Sequence, residues 1–225
     1  MIDQSEIISL ILIFVLVLTI LWFFLRLIKH ILRPPKIFVI SDTHFNHRGI
    51  IRLCHRPFPN VRMMNRVMKY RWNRVVGRRD TVYFLGDFVV DSKPKRSLRR
   101  AIKYWKRQLN GHKIFIRGNH DWPMPFVSTK HHKKLHYKGF DFYLVHDQGE
   151  IPRNWKGWTI YGHIHNNYLT NSPFINGNLK RINVSAEIIN YTPVSLDTLI
   201  SLNLPTIEHK RTIRDPTQYK TKYPI

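Results

Sequence analysis

Five short groups of carboxylate, imidazole and amide side chains stand out along this sequence of 225 residues. Each group directly follows an apolar run, and several contain a glycine. Carboxylate, imidazole and amide ligands together suit borderline divalent ions such as Mn, Fe or Zn. The set therefore predicts a metal centre. In chain order the groups are Asp42-Thr43-His44, Gly86-Asp87, Gly118-Asn119-His120-Asp121, His146-Asp147 and Gly162-His163-Ile164-His165.

The spacing within two of these groups favours the same chemistry. Residues two apart on an extended segment project to one side. Asp42 with His44, and His163 with His165, can therefore each hold a common ion. A single Asp-x-His occurs often by chance, and a single histidine at a strand end is usually structural. Five such groups in order, all at strand ends, indicate a functional site.

The apolar runs that precede the groups predict buried β-strands. Continuous apolar runs of four to six residues are typical of strands covered on both faces. Ligand sites in open α/β sheets collect at the carboxyl ends of the strands, so we expect the five groups to converge. The runs are Lys36–Ile40, Thr81–Leu85, Lys113–Ile116, Phe142–Val145 and Trp158–Tyr161.

Between these strands, Val61–Val76 and Lys95–Leu109 carry apolar residues three and four apart, which predicts amphipathic helices with basic outer faces. Strand-helix-strand order in the first half predicts a layered α/β domain. The second half is predicted to be mostly strand, with a hairpin turn at Lys138-Gly139. Its strands are expected at 133–137, 141–145, 157–161, 181–185 and 194–196.

An uncharged apolar segment, Ile7–Leu25, precedes the α/β part. As a helix it would be about 28 Å long, close to the thickness of a bilayer core. A cleaved signal peptide is the alternative, but it would require a basic start and a small-residue cleavage site. Here Asp3 and Glu6 come first, and basic residues follow instead: Arg26, Lys29, Arg33 and Lys36.

The charge asymmetry around this segment predicts its orientation. Positive residues favour the cytoplasmic side, so the N-terminus should face out and the large C-terminal part should face the cytoplasm. We therefore expect a single-pass protein of the cell membrane. Residues 1–33 would form the anchor with its basic flank, 34–202 the α/β domain with the predicted metal centre, and 203–225 a basic flexible tail.

The bulk composition also bears on the partners. Lys and Arg total 37 against 14 Asp and Glu, a formal net charge of +23, which attracts nucleic acid, nucleotides or an anionic membrane face. The alternative is that this charge serves general solubility. Cys54 is the single cysteine, so no internal disulfide can form. We interpret it as a reduced structural residue in preference to a catalytic thiol.

The ordered motifs resemble the calcineurin-like metallophosphoesterase superfamily, and in particular a small prokaryotic and phage branch of it. The likeness spans about Ile37 to Leu199 and is carried by SDTHFNHRGIIRLCHRPF, WNRVVGRRDTVYFLGDF, IRGNHD, YGHIHNN and RINVSAE. The resemblance implies a β-sandwich flanked by helices in four layers. It also implies two divalent transition-metal ions at one sandwich edge, with Mn preferred and Fe or Zn as alternatives.

The resemblance also implies roles for single residues. One metal would be held by Asp42, His44 and His165, the other by Asn119, His146 and His163, and Asp87 would bridge both. His120 would stabilise the transition state or protonate the leaving oxygen, and Asp121 would orient His120. From their positions beside these motifs, three further residues are candidates for contacting substrate phosphate: His47, Arg48 and Arg117.

The predicted activity is hydrolysis of a phosphodiester or phosphomonoester by a hydroxide that two metals activate. A nucleotide, a nucleic acid or a lipid headgroup could carry that ester, and no protein partner is predicted. The alternative is a non-catalytic, membrane-tethered module that keeps the fold and binds polyanions. The complete set of predicted ligands argues against this alternative.

Overall fold

The computed structural model describes residues 3–90, 95–121, 130–167, 170 and 172–210. The chain divides into two units, Met1–Pro35 and Lys36–Ile225. The helices are α1 Gln4–Leu32, α2 Arg48–Leu53, α3 Val61–Val75, α4 Lys95–Gln108 and α5 Leu196–Ser201. The strands are β1 Ile37–Ile40, β2 Thr81–Leu85, β3 His112–Ile116, β4 His132–Tyr137, β5 Phe140–Val145, β6 Trp158–Tyr161, β7 Ile175–Asn176, β8 Arg181–Asn183, β9 Val194–Ser195 and β10 His209–Lys210.

The first unit contains α1. The backbone N–H of Asp3 donates to the Glu6 carboxylate at 3.4 Å at the start of the helix. The helix ends before Arg33, whose extended backbone leads into two prolines that cannot continue it. Within α1, the 23-residue segment Gln4–Arg26 contains an 18-residue window with a mean hydropathy of 3.1, so the helix is long and apolar enough to cross a membrane by length and composition.

The second unit is built on two sheets. The smaller sheet has the order β3-β2-β1-β9, in which β1, β2 and β3 are parallel and β9 is antiparallel to β1. The larger sheet is mixed, with the order β10-β7-β8-β6-β5-β4. In it β5, β6 and β8 run parallel, while β4, β7 and β10 each pair antiparallel with a neighbour.

Helices cover this sheet pair through the apolar stripes seen in the sequence. On α3, Met64, Met68 and Trp72 are buried, and the Trp72 ring stacks on Phe84 of β2. On α4, Trp105 is buried and stacks on Phe45, with ring centroids 4.2 Å apart. One apolar cluster contains these helix residues together with buried residues of both sheets. The prediction of a two-sheet, mixed α/β fold flanked by helices is thus confirmed.

The ends of several elements differ from the predictions. α2 and β7 were not predicted. The expected strand 194–196 ends at Ser195, because the Ser195 hydroxyl accepts the Thr198 N–H and thereby caps α5. The expected strand 181–185 ends at Asn183.

The segment predicted to be a flexible tail contributes to the fold at its start. Leu204 is fully buried in the core, and β10 pairs with β7. The described fold therefore extends beyond residue 202, through Lys210. Residues 211–225 lie outside the described part.

Candidate metal centre

The polar residues that follow the strands adopt an unusual backbone conformation. Asp42 and His44 after β1, Asp87 after β2, and His163 and His165 after β6 have φ values of 57°, 48°, 59°, 71° and 52°. Residues with a Cβ rarely adopt this left-handed conformation, which costs on the order of 1–3 kcal/mol each. Such strain persists where the surrounding structure enforces it, and it marks these loops as a functional site.

Hydrogen bonds between the loops hold this conformation. The Asp42 N–H donates to the Gly86 carbonyl and the His44 N–H to the Asp87 carbonyl, both at 3.0 Å. The His163 N–H donates to Asp42 Oδ2 at 2.9 Å. A Cβ on Gly118 would collide with the Asp87 carboxylate and backbone, so only glycine allows this approach. The loops of both sheets therefore meet at Asp42.

Asp42, His44 and His165 form one potential ligand cluster. Their candidate ligand atoms lie within 4.8 Å of one another, and all three residues are buried. In the part of the chain that the structure describes, Asp42 Oδ1 and both His44 ring nitrogens have no hydrogen-bond partner. Buried polar atoms normally have one, because leaving them unpaired costs free energy. A cation between these atoms would satisfy them.

Asp42, Asp87 and His146 form a second cluster with the same 4.8 Å limit. Asp87 Oδ2 lies 3.4 Å from His44 Nε2 and 3.6 Å from His146 Nε2, which places this oxygen between the two clusters. Asn119 Oδ1 lies 2.8 Å from His146 Nε2 and 3.0 Å from His163 Nδ1. The seven predicted ligands thus converge, from loops that belong to both sheets.

The His146 ring is fixed by the backbone. Its Nδ1–H donates to the Leu85 carbonyl at 2.7 Å, which leaves the Nε2 lone pair facing Asn119 Oδ1. Two facing acceptors repel unless a proton or a metal ion lies between them. A backbone carbonyl on the far nitrogen is also how metal-binding histidines are commonly oriented.

The charges of the site call for a cation. Burial alone would raise the pKa of Asp87, but the neighbouring imidazoles of His44 and His146 lower it to about 2. Burial alone would lower the pKa of His146, but the carboxylates of Asp42 and Asp87 raise it. The lowered pKa of Asp87 and the raised pKa of His146 both mean that the site favours positive charge beside its carboxylates. The donor set of carboxylates, imidazoles and one amide fits divalent transition metals.

The two residues predicted to be catalytic have different surroundings. His120 is exposed, with its ring centroid 5.6 Å from that of His44, and its N–H donates to Asp87 Oδ1 at 2.9 Å. Asp121 is buried and accepts the N–H groups of Asp87 at 2.8 Å and Gly118 at 2.9 Å. Burial and the charge of Asp87 raise the pKa of Asp121. In the described residues its hydrogen bonds go to backbone N–H groups, so it supports the Asp87 loop and is not bonded to the His120 ring.

The three residues predicted to contact substrate lie in three different surroundings. The His47 ring lies 5.5 Å from that of His44, and burial together with the His44 charge lowers the pKa of His47 to about 4. Arg117 lines a cavity of about 230 Å³ beside Asn119, His146 and His163. Arg48 lines a different cavity, of about 510 Å³.

Two residues beside the site, Arg56 and Glu187, were not predicted from the sequence. Glu187 lies 3.1 Å from His165 Nδ1 and 2.6 Å from the Arg56 guanidinium. The signal that could have indicated them is a lone acid in the apolar run that contains Glu187. A buried acid of this kind requires a partner, and its partner here is 131 positions away.

Comparisons with known proteins show which family the sequence resembles. The sequence model of the calcineurin-like phosphoesterase family matches residues 35–209. The uncharacterized protein MJ1445 of Methanocaldococcus jannaschii is 45% identical over 168 residues, which cover 74% of this chain and 90% of that protein. The gene 66 protein of Mycobacterium phage L5 is 31% identical over 91 residues, 40% of this chain and 42% of that protein.

A solved structure shares the fold. The protein AQ665 of Aquifex aeolicus, described as of unknown function, superposes with a TM-score of 0.55 and 24% identity. The match covers 75% of this chain and all of that chain.

The convergence of ligands predicts that a divalent cation stabilises the folded domain. We expect Mn²⁺ to raise the unfolding temperature of the wild-type chain, since a ligand present at 100 times its Kd contributes about 2.7 kcal/mol. Asp87→Asn should abolish most of this shift, because that carboxylate lies between both clusters. Thermal unfolding with and without EDTA measures both effects.

Asp141→Asn is the matched control, because its carboxylate is exposed and pairs with His136 at 2.7 Å, away from the predicted ligands. This variant should respond to Mn²⁺ as the wild type does. If Mn²⁺ raised the unfolding temperature of Asp87→Asn as much as that of the wild type, the assignment of the site would be contradicted.

Proposed function

The chain belongs to the calcineurin-like phosphoesterase family, and we propose that it hydrolyses phosphate esters in a metal-dependent reaction. The observation that carries the proposal is the buried convergence of Asp42, His44, Asp87, His146 and His165, with unsatisfied ligand atoms on Asp42 and His44. A site that only stabilised the fold would be expected to satisfy these atoms internally.

Two divalent ions, Mn²⁺ preferred with Fe or Zn as alternatives, would supply Lewis acidity and a water of lowered pKa when bound. We assign Asp42, His44 and His165 to one ion, Asn119, His146 and His163 to the other, and Asp87 to both. The first set is buried, whereas Asn119 is exposed and His163 is half-buried. Asn119 and His163 therefore face the side from which an ester can approach.

The remaining residues act on the substrate itself. His120 is exposed beside His44 and can donate a proton to the leaving oxygen, a contribution of about 10²–10⁴-fold in similar roles. Arg117 lines the site cavity and can neutralise phosphate charge. His47 is neutral at pH 7, because its pKa is about 4, and can act only as a neutral donor or acceptor.

The second candidate function is the non-catalytic module that binds polyanions with the same fold. The net charge of +23 favours it. The unpaired ligand atoms of Asp42 and His44 favour the enzyme, because a module that binds only through surface charge has no need of them.

Turnover of an aryl phosphodiester and an aryl phosphomonoester, with Mn²⁺ and with chelator, separates these two functions. We expect Mn²⁺-dependent hydrolysis by the wild type. His120→Gln should lower kcat by about 10²–10⁴-fold with metal content unchanged, because it removes a proton donor and not a ligand.

His112→Gln, which changes an exposed histidine of β3, is the matched control and should retain the wild-type rate. Bound metal without any turnover would favour the non-catalytic module. Wild-type kcat in His120→Gln would refute the role of His120.

We further propose that the substrate is a polyanion such as a nucleic acid, held partly outside the metal centre. Arg48 and Arg52 lie one turn apart on α2, and Arg62 lies in the first turn of α3. All three line the 510 Å³ cavity, and no acid occurs between Asp42 and Asp80 in the sequence. Arg48, which lines the cavity, directly follows His47, whose ring centroid is 5.5 Å from that of His44. A second phosphate of an extended substrate fits this position.

Removing this charge should weaken the binding of long substrates selectively. The double variant Arg52→Gln/Arg62→Gln is expected to raise KM for a single-stranded oligonucleotide by about tenfold and to reduce its salt dependence, because phosphate contacts release counterions. KM for a small aryl ester should not change. Steady-state kinetics at two salt concentrations measures both.

The matched control is Arg99→Gln/Arg100→Gln, which removes two exposed charges from α4. If this control raises KM as strongly, the effect is one of general charge and the cavity has no special role. If headgroup esters in anionic vesicles show the selective loss and oligonucleotides do not, the substrate is a lipid.

For its location, we propose a single-pass protein of the cell membrane with the N-terminus outside and the phosphoesterase domain in the cytoplasm. The support is the apolar segment Ile7–Leu25 of α1, which Arg26, Lys29, Arg33 and Lys36 follow in the sequence. The Arg26 guanidinium lies 5.1 Å from the Trp22 ring, an arrangement suited to the headgroup region.

Protease added to intact spheroplasts should therefore leave a C-terminal tag intact and should cleave it after lysis. A chain that lacks residues 1–33 should be recovered in the soluble fraction and should still hydrolyse soluble esters. Digestion of the tag in intact spheroplasts would reverse the orientation. A mature protein that lacks the apolar segment by mass spectrometry would identify the segment as a signal peptide.

A further inference from the structure

We propose that Arg56 and Glu187 form a buried positioning pair that sets the affinity of one metal position, the one assigned to Asp42, His44 and His165. This inference rests on the proposed function, because it concerns a metal that the site is proposed to hold. Arg56 and Glu187 are 3% and 8% exposed, respectively. Neither is a predicted ligand.

The pair is joined by one hydrogen bond and one close ionic contact. Arg56 Nε donates to Glu187 Oε1 at 2.7 Å, and Nη2 lies 2.6 Å from the same oxygen. A buried ion pair with this geometry contributes little net stability compared with apolar residues, because desolvation opposes the attraction. Its presence in the core therefore calls for another role, and its remaining contacts indicate one.

Glu187 fixes the ring of His165. Its two carboxylate oxygens lie 3.1 and 3.2 Å from His165 Nδ1, so the Nδ1–H donates to the carboxylate. The lone pair is thereby placed on Nε2, which lies 3.9 Å from Asp42 Oδ1. A carboxylate on the far nitrogen selects the tautomer of a metal-binding histidine and increases its basicity.

Arg56 fixes the backbone of the other side of the same cluster. Its Nη2 donates to the Asp42 carbonyl at 2.7 Å and its Nη1 to the Thr43 carbonyl at 2.8 Å. These carbonyls belong to the segment in which Asp42 and His44 have positive φ. The planar guanidinium reaches both carbonyls and Glu187 at once, which the single ammonium of a lysine cannot do.

Cys54, His165 and Glu187 also lie close enough to hold a metal of their own. The Arg56 guanidinium, 2.6 Å from Glu187, already supplies the positive charge at that carboxylate. The third group is therefore the support of His165 and not a third metal position.

Glu187 supports one metal position only, because the predicted ligand that it contacts is His165. His146, in the other position, is oriented by the Leu85 carbonyl. Removing Glu187 should therefore weaken the Asp42, His44 and His165 position and spare the Asn119, His146 and His163 position. A merely structural pair would affect both positions or neither.

The test measures Mn²⁺ binding by the full-length chain in detergent. Isothermal titration calorimetry gives the number of ions and their affinities, and electron paramagnetic resonance shows whether the ions are coupled. The wild type should bind two ions per chain and give the spectrum of a coupled pair. Glu187→Ala should weaken one of the two by about 10–100-fold, in the range found for such supporting residues, and give the spectrum of an isolated ion. Glu187→Gln should lose less, because its amide oxygen can still accept the Nδ1–H.

Two further variants distinguish a loss of metal affinity from a loss of the fold. Arg56→Met/Glu187→Gln removes both buried charges together, which avoids leaving one of them unpaired. It should unfold near the wild-type temperature and still show one weakened ion. Asp80→Asn changes another buried carboxylate, which accepts the N–H groups of Lys36 and Gly77 at 2.9 and 2.7 Å, and should bind two ions as the wild type does.

The outcomes distinguish the two proposals. Two ions of unchanged affinity in the Glu187 variants would overturn the positioning role and leave the proposed function intact. Equal weakening of both ions in the double variant would also overturn it. A wild type that binds no Mn²⁺ would refute the proposed function, and the positioning role with it.

Discussion

Asp42 and Asp87 bring two carboxylates into one buried space at the ends of neighbouring parallel strands. Like charges in such a space repel, and the domain counters the repulsion with imidazoles from three separate loops. His44 and His146 face Asp87, and His165 faces Asp42. This concentration of carboxylate oxygens and lone pairs is tolerable only with a cation or with bound protons. The positive-φ loops, the close approach of Gly118 and the buried pair of Arg56 and Glu187 all serve to keep it in place.

The convergence of the candidate ligands could be predicted from the sequence better than the contacts that hold these residues in place. Each predicted ligand follows a strongly apolar strand, and the strand-end position is a local signal that needs no knowledge of distant contacts. The strands β1 and β2 were found for the same reason, since a short continuous apolar run between polar segments is typical of a buried strand. His47 and Arg48 are adjacent in sequence, yet the His47 ring lies beside His44, whereas Arg48, the first residue of α2, lines the 510 Å³ cavity. A short helix of that kind has too few residues to show a period.

Features that depend on residues far apart in the sequence could not be predicted from the sequence. Arg56 and Glu187 are 131 positions apart, and nothing near either residue identifies the other. The same holds for the two-residue strands at the edge of the larger sheet, since β10 pairs with β7, and β7 pairs with both β10 and β8. The role predicted for Asp121 from the family resemblance illustrates the same difficulty. A family resemblance placed it beside His120, while its hydrogen bonds run to the backbone of Asp87 and Gly118.

The hydrogen bond from the His163 N–H to Asp42 Oδ2 has a consequence for the cohesion of the whole domain. Asp42 follows a strand of the smaller sheet and His163 follows a strand of the larger one, so the ligand loops also form a seam between the sheets. The parallel bridge between Ser41 and Ser185 lies along that seam. A metal ion bound at this centre would therefore also hold the two sheets together. Loss of a metal ion bound there would then make the domain less stable and easier for proteases to open.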